Sequence, residues 1–312
     1  MSVHSVILGL MDSVRLRQAL PFLALLLAMA LWGSSFVALK YSFQKMHPLM
    51  VIFGRMAVAS FCFVPLLGAL PRMGLRRRHL VPILLMCGCE PCLYFSFESA
   101  ALIYTSASQA AMVTAMLPLL VGLCAGVFLG ERITRRTVCG FVIAAGGAIW
   151  LGLGGRETAQ APNPLLGNFF EFMAMVCAAG YTILMKRLSK ELHPFFLTGL
   201  QAVGGALFFA PVLLLPTVRS APWSVDGWLV VLYLGTVVSV GAYGLYNFGI
   251  SRIPASQAAA FVNLIPVFSL IFGFLVLEER LTPWQWLACG LVFTGILLSQ
   301  EAGRWRLGGK TP

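Results

Sequence analysis

The feature that most limits the fold of this chain is a succession of hydrophobic stretches separated by short polar breaks. An α-helix needs about 20 apolar residues to cross a bilayer core of roughly 30 Å. Stretches of that length recur along the whole chain, so the sequence predicts an all-α polytopic membrane protein. The ten predicted transmembrane helices are 20–43, 49–70, 80–102, 106–129, 136–153, 165–187, 195–215, 227–250, 255–277 and 284–300.

Composition agrees with this prediction. Hydrophobic residues make up 59% of the chain, charged residues only 11%, and the mean hydropathy is +0.87. A soluble protein of this length needs far more charge to cover its surface. The chain is therefore expected to have the lipid bilayer as its main partner.

The net charge of +11 indicates membrane topology and not nucleic-acid binding. With a cytoplasmic N-terminus, sixteen Lys and Arg residues lie on the cytoplasmic side and four on the other side, with Lys40 and Arg55 inside helices. Short cytoplasmic loops carry such an excess of basic residues. The sequence predicts a multi-pass protein of the cytoplasmic (inner) membrane with both termini in the cytoplasm. The four basic residues on the non-cytoplasmic side are Lys45, Arg156, Arg219 and Arg280.

The two halves of the chain repeat one another. Residues 107–134 and 255–282 align without gaps and are identical at ten of 28 positions, including Pro118 with Pro266. Each half has five predicted helices, and five is an odd number, so the second half is expected upside down relative to the first. The predicted organisation is a cytoplasmic segment 1–19, a first repeat 20–153, a linker 154–164, a second repeat 165–300 and a cytoplasmic tail 301–312.

Several motifs carry a resemblance to a known family. They are WGSSFVALK, FGRMAVAS, ALIYTSASQAAM, LGERIT and LEERLT, in that order along the chain. With them the chain resembles the EamA-type members of the drug/metabolite transporter superfamily over residues 20–300. The resemblance implies ten helices around a central cavity, lined by helices 1–4 and 6–9 and gated alternately from each side. It does not fix the cargo, which in the family includes amino acids, other metabolites, drugs and organic cations.

Ionisable residues within the predicted helices are the first candidates for the site. Glu90, Tyr94 and Glu98 are spaced i, i+4, i+8 and share one helical stripe. A lipid-facing carboxylate is costly, so the stripe is expected to face protein or water. Its carboxyl groups would bind a cationic group or carry the coupling proton, with Tyr94 positioning them. The alternative is a carboxyl group that pairs with an arginine and fixes helix packing.

Arg55 and Glu171 are two further candidates. Arg55 matches the helix-2 arginine of the resembled family, and a guanidinium group suits an anionic group such as a substrate carboxylate. The alternatives are an ion pair with Glu98 or Glu171, or a snorkelling side chain. Glu171 is predicted as a gate or substrate contact, or alternatively as a partly hydrated carboxylate at the membrane interface.

Uncharged candidates fall into two sets. The first could hydrogen-bond cargo across the pseudo-twofold axis, or alternatively only connect helices. The second could form an aromatic box around an ammonium group, although most aromatic side chains here are expected to face lipid or fill the core. The first set is Gln109, Gln257 and Asn263; the second is Trp32, Phe36, Tyr181, Tyr243, Tyr246 and Phe261.

Gating or structural roles are assigned to the two prolines and to the Glu–Arg pairs. Pro118 and Pro266 are expected to kink helices 4 and 9 at matching places. The pairs are expected to cap helix ends and tie loops together, or to latch gates. They are Glu131 with Arg132 and Glu279 with Arg280. The cysteines around Glu90 lack a histidine partner, so no metal site is predicted.

These observations favour a transporter over the other classes. The sequence has no HExxH, GxSxG or paired-Asp motif that would indicate an enzyme, no selectivity filter, and no nucleotide-binding loop or cofactor motif. The predicted function is secondary active transport of a small polar metabolite, most of all an amino acid or related compound, by export and with proton coupling. The alternative is a carrier for an organic cation, drug or quaternary amine. The unit is expected to be a monomer or homodimer.

Overall fold

The computed structural model describes residues 3–65, 75–129, 135–154, 158–159, 161–222, 224–253 and 255–299. Within these ranges all regular structure is helical, apart from one isolated bridge between Thr158 and Ala161. Helix α1 begins at Val3, inside the segment 1–19 that was predicted to precede the first helix. The longer helices are α1 Val3–Phe43, α2 Pro48–Phe63, α3 Arg77–Cys87 and Tyr94–Tyr104, α4 Ala107–Thr114 and Leu117–Leu129, α5 Arg135–Leu153, α6 Pro164–Leu188, α7 Pro194–Phe209, α8 Val225–Tyr233 and Tyr243–Arg252, α9 Ala255–Ala260 and Ile265–Leu277, and α10 Pro283–Ser299. A 3₁₀ segment, Ala210–Leu214, and a one-turn helix, Pro216–Arg219, lie between α7 and α8.

Length and composition make this a membrane-spanning architecture. Over the described residues, seven helical segments are long and apolar enough to cross a bilayer, and Pro48–Phe63 and Val138–Leu151 are shorter apolar helices. Large apolar side chains such as Phe61, Leu84 and Leu207 are more than two-thirds exposed. Soluble monomers rarely expose broad apolar surfaces. The outer face of this molecule is therefore suited to lipid.

Four helices are interrupted where they approach the centre. The π-helical turn Gly88–Leu93 breaks α3, and a π-helical stretch, Leu234–Ala242, lies within α8. The first part of α4 ends just before Pro118, and the 3₁₀ segment Phe261–Leu264 of α9 precedes Pro266. Proline lacks the N–H that continues a helix, and π-bulges are frequent at functional sites. The predicted continuous helix 80–102 is thus two helical parts.

Small residues let the helices approach closely. A Cβ atom on Gly33 of α1 would lie 2.5 Å from the Phe268 Cβ atom of α9, and one on Gly147 of α5 would lie 2.8 Å from the Val292 backbone nitrogen of α10. Both distances are shorter than atoms can approach. The contacts bring α9 against α1, and α5 against α10, at distances that only glycine permits.

In each half a lysine side chain hydrogen-bonds to the end of another helix, and we call each of these contacts a lysine corner. Lys40 of α1 donates to the carbonyls of Leu102, at 2.5 Å, and Thr105, at 2.7 Å, where α3 ends. Lys186 of α6 donates to the carbonyls of Ile250, at 2.8 Å, and Ile253, at 2.7 Å, where α8 ends. Carbonyls in the last turn of a helix lack partners within it. Each lysine therefore joins the first helix of its half to the third.

These two corners lie on opposite faces of the molecule. We call the face with the loops around Lys45, Ser106 and Glu279 the Glu279 face. We call the face with the loops around Arg78, Glu191 and Ile253 the Glu191 face. Each face has an ion pair: Lys45 with Asp226 at 2.7 Å on the first, and Arg78 with Glu191 on the second.

Candidate functional site

A narrow cavity lies in the middle of the molecule, between the interrupted helices. It is lined from α1, α2, α3, α4, α6, α8 and α9, and the space open to water centres is about 40 Å³. A water molecule needs roughly 10–15 Å³ by this measure. The cavity in this conformation therefore has room for a few waters, and a metabolite can enter only when side chains or helices move.

Arg55 and Glu98 form the charged centre of the cavity. The Arg55 side chain is 1% exposed and Glu98 is 3% exposed, and their Nη1 and Oε2 atoms are 3.9 Å apart. The Arg55 Nε atom donates to the Ser239 hydroxyl at 3.1 Å, and the guanidinium carbon lies 4.3 Å from the centre of the Phe95 ring. Tyr94 donates its hydroxyl to Glu98 Oε1 at 2.9 Å. Of the alternatives for Arg55, the structure contains the ion pair with Glu98, and the clamp for a substrate carboxylate stays a prediction.

Glu90 faces the same cavity from the broken part of α3. Its backbone angles, φ −148° and ψ 120°, are not helical, and its carboxylate accepts a hydrogen bond from the hydroxyl of Tyr243. The spacing i, i+4, i+8 assumed one continuous helix. The helix is broken at Glu90, yet Glu90, Tyr94 and Glu98 all line the cavity.

Aromatic side chains form much of the cavity wall. The Trp32 ring centroid is 4.9 Å from that of Tyr243 and 4.9 Å from that of Tyr246. The Tyr181 hydroxyl oxygen lies 2.7 Å from Asn247 Oδ1, to which it donates, and 3.1 Å from Gln201 Oε1. Of the aromatic candidates, the structure brings five to the cavity and places Phe261 elsewhere, against Phe22 at 6.1 Å between centroids. The five are Trp32, Phe36, Tyr181, Tyr243 and Tyr246.

Glu171 is fully buried on α6. Its exposed fraction is 0%, and neither of its carboxyl oxygens has a hydrogen-bond partner among the described residues. It lies close enough to Glu98 for the two carboxyl groups to interact electrostatically. Glu171 is thus buried in this conformation, and its role as a gate, a substrate contact or an interfacial carboxylate stays a prediction.

Two of the amide candidates, Gln109 and Asn263, do not line the cavity. Gln109 lies at the Glu279 face, where its Oε1 atom is 3.5 Å from both Thr105 Oγ1 and Asn168 Nδ2. Asn263 is in the 3₁₀ segment of α9, and its Oδ1 atom is buried without a hydrogen-bond partner among the described residues. The side chain of Gln257 is not among those described, so an arrangement of Gln109 opposite Gln257 stays a prediction.

Glu279 connects the end of α9 to the start of α4. Its Oε1 atom accepts from the backbone N–H of Ala107 at 3.0 Å, and its Oε2 atom accepts from that of Ser108 at 2.9 Å. A carboxylate is favoured at this position because the first N–H groups of a helix are unsatisfied and carry partial positive charge. Arg280 lies 5.8 Å from the Phe274 ring centre. Glu131 and Arg132 lie outside the described residues.

Sequence reasoning missed Lys40, Ser239 and Asn247 as parts of this framework. Lys40 precedes His47 by the same interval as Lys186 precedes His193, and this matched spacing is a signal that could have found both lysines. No comparable pattern marks Ser239 or Asn247. Within the described ranges no group of three or more His, Cys, Asp or Glu residues has the geometry of a metal site.

Comparison with known proteins identifies the class of protein to which this fold and this site belong. A model of the EamA-like transporter family matches residues 19–153 and again residues 165–300. The probable terminal-alkyne amino-acid exporter of Streptantibioticus cattleyicolor is 25% identical over 88% of this chain and 91% of its own length. The probable amino-acid metabolite efflux pump of Escherichia coli is 24% identical over 90% of this chain and 95% of its own.

Other relatives are named as uncharacterized transporters. One crystal structure is similar with a TM-score of 0.62 at 21% identity, covering 89% of this chain and 96% of the other. That likeness supports the fold alone.

The family match and the transporter names of these relatives make this molecule, helical over its described ranges, a membrane transporter and not an enzyme. More narrowly, the chain belongs to the EamA-like transporter family.

Proposed function

We propose that this protein is a secondary active exporter of a small polar metabolite, an amino acid or a closely related compound. The single observation that carries the proposal is the buried cluster of Arg55, Glu98 and Glu90 in one cavity. A zwitterion presents one anionic and one cationic group, and this cluster offers a partner of opposite sign to each. Two relatives named for amino-acid export support the same cargo class.

The proposed architecture is ten membrane helices in two inverted repeats of five, covering 20–153 and 165–300. The two lysine corners support it, because the residues they join are related by nearly constant offsets yet lie on opposite faces. The Glu279 face is proposed to be outside the cytoplasmic membrane and the Glu191 face to be in the cytoplasm with both termini. Alternating access then opens the cavity to one face at a time.

Proton coupling is proposed to run through Glu98. When Glu98 releases its proton, its carboxylate can pair with a substrate ammonium group, so this group binds a proton and the cargo in turn. The sequence shows no nucleotide-binding loop that would supply energy from ATP. An inward proton gradient is therefore the proposed driving force.

Proteoliposomes that contain a pH-sensitive dye test this function. Pools of amino acids, amines and nucleosides are added to wild-type protein and to Glu98→Gln. The expected result is a pH change triggered by the amino-acid pool in wild-type vesicles and absent from the variant. Gradient-driven transport that is fully retained in Glu98→Gln would remove Glu98 as the coupling group.

A second candidate is a carrier for an organic cation or quaternary amine. The arrangement that favours it is Trp32 between Tyr243 and Tyr246, with the Glu90 carboxylate on Tyr243. Such rings attract a cation by about 0.5–2 kcal/mol each. Tetramethylammonium competing with the amino-acid pool in wild-type protein, but not in Trp32→Leu, would favour this candidate. Transport of a zwitterion by a Glu90→Gln, Glu98→Gln double variant would argue against it.

A further inference from the structure

A second buried carboxyl group lies beside the proposed coupling site. Glu171 is fully buried, and neither oxygen has a hydrogen-bond partner among the described residues. An ionised carboxylate in such surroundings carries a large desolvation penalty, which proteins avoid by pairing the charge or by adding a proton. Glu171 forms no ion pair within the described parts of the chain. Of these two ways to avoid the penalty, protonation of its carboxyl group is therefore the one that remains.

The groups that act on Glu171 are acidic. The carboxyl of Glu98 and the hydroxyl of Tyr94, both on α3, interact with it electrostatically. Helix α8 packs against α6 with Tyr243 and Tyr246 at the cavity and Arg252 at the Glu191 end, and α3 adds Glu90. Among the described side chains, α4 has only Cys124 to titrate, and α5 has its charged and titratable groups at the Glu191 end. Those α5 groups are Arg135, Arg136 and Cys139. Glu98 has Arg55 as its basic neighbour, whereas Glu171 is near the Glu98 carboxyl group and has no ion pair of its own among the described residues.

Buried polar side chains lead from near Glu171 towards the Glu279 face. Asn168 lies three residues before Glu171 on α6 and is 5% exposed. The Thr105 hydroxyl donates to Asn168 Oδ1 at 3.1 Å, and Asn168 Nδ2 lies 3.5 Å from Gln109 Oε1. Gln109 itself lines a pocket of about 690 Å³ at the Glu279 face. Hydrogen-bonding side chains thus continue from that pocket to Asn168, which lies about one helical turn from Glu171 on α6.

We propose that Glu171 is a second proton-binding group, loaded from the Glu279 face along Gln109, Thr105 and Asn168, which passes its proton to Glu98. This inference rests on the proposed function, because it places Glu171 ahead of Glu98 in the same coupling reaction. The transfer moves one proton between two carboxyl groups and needs no other reactant. The Asn168 group has the role of positioning water on the route.

Labelling with dicyclohexylcarbodiimide tests the proton site without any cargo. This reagent reacts with protonated carboxyl groups in apolar surroundings to give a stable acylurea. Wild-type protein in liposomes is treated at pH 6 and pH 9, and its peptides are measured by mass spectrometry. The expected result is an adduct on Glu171 at pH 6 that falls at least fivefold at pH 9. An adduct on Glu98 with none on Glu171 at either pH overturns the proposal.

Transport separates this inference from the proposed function. Glu171→Gln and Asn168→Leu are compared with Asn163→Leu, a control at the start of α6. The radiolabelled amino-acid pool is used in two modes, proton-gradient-driven accumulation and counterflow. Both test variants are expected to lose at least tenfold in accumulation and to stay within twofold in counterflow. Full accumulation by Glu171→Gln overturns the inference. If wild-type protein exchanges amino acids but no gradient drives them, proton coupling itself fails.

Discussion

At the scale of single residues, the charge balance of the cavity depends on Arg55. It is the basic side chain that the structure places beside Glu98, and both are almost fully buried. Arg55→Gln is expected to lower the free energy of unfolding on the order of 3 kcal/mol, because it leaves a buried carboxylate without its partner. Thermal unfolding of the purified protein in detergent measures this, and Arg55→Gln, Glu98→Gln is expected to recover most of the loss.

The matched control for the Arg55 and Glu98 variants is Lys45→Gln. It removes a basic residue from the exposed pair with Asp226, whose carboxylate is 62% exposed. Exposed ion pairs contribute about 0–1 kcal/mol to the free energy of unfolding, so the melting temperature of Lys45→Gln should stay close to that of wild type. Equal losses for Arg55→Gln and Lys45→Gln would mean that the buried pair has no special weight.

The ion pair on the Glu191 face predicts that its contribution to the stability of the protein decreases at acidic pH. Hydrogen bonds from His79 and then from Arg78 lower the pKa of Glu191 below its ordinary value of 4.5. A group whose pKa is lowered by folding contributes stability above its unfolded pKa and loses it as the pH falls through the folded value. The difference in melting temperature between wild type and Glu191→Gln should therefore be largest near pH 7 and shrink below pH 4.5. A difference that stays constant from pH 7 to pH 3.5 contradicts this origin.

At the scale of helices, Glu279 is the contact through which α9 is held against the start of α4. Replacing a charged acceptor of two backbone N–H groups weakens both hydrogen bonds, each contributing about 1.5–3 kcal/mol. Glu279→Gln is therefore expected to open the cavity towards the Glu279 face more often. The reporter is Thr114→Cys, which lines the cavity, in protein whose eight native cysteines are replaced.

A membrane-impermeant maleimide measures that opening. Labelling of the Thr114→Cys reporter from the Glu279 face should quicken roughly tenfold in Glu279→Gln, since 1.4 kcal/mol corresponds to a factor of ten. Glu278→Gln is the control, because Glu278 is the neighbouring glutamate and its side chain is exposed. The latch is excluded if the two variants label at the same rate.

The helices also show how far the sequence could predict the site. Hydrophobic length predicted the membrane class, and the cost of carboxylates in lipid predicted that Glu90 and Glu98 face inward, which is where they lie. Sequence spacing could not predict the turn at Gly88–Leu93, because periodicity assumes an unbroken helix. The sequence also allowed Glu98 or Glu171 as the partner of Arg55. Only tertiary packing decides that α2 places Arg55 beside Glu98.

At the scale of the whole molecule, the same contacts recur in the two halves on opposite faces. His47 and His193 each accept from a backbone N–H two residues ahead, at 3.3 Å, and Lys40 and Lys186 close the matching corners. The repeat of local chemistry with reversed direction is what inverted halves require. The charged site is not repeated, since the position equivalent to Arg55 is Gln201. These matched contacts support the proposed inverted halves, and the proposed binding groups Arg55, Glu90 and Glu98 all lie in the first half.

The proposed orientation gives the last prediction. Gln44 and Lys190 are exposed, the first on the Glu279 face and the second on the Glu191 face. In right-side-out spheroplasts that produce the cysteine-free protein, an impermeant maleimide should label Gln44→Cys and spare Lys190→Cys. Inverted vesicles should give the opposite pattern, because the bilayer blocks the reagent. Labelling of Lys190→Cys in spheroplasts would reverse the orientation, and with it the direction in which the Glu279 face opens for export.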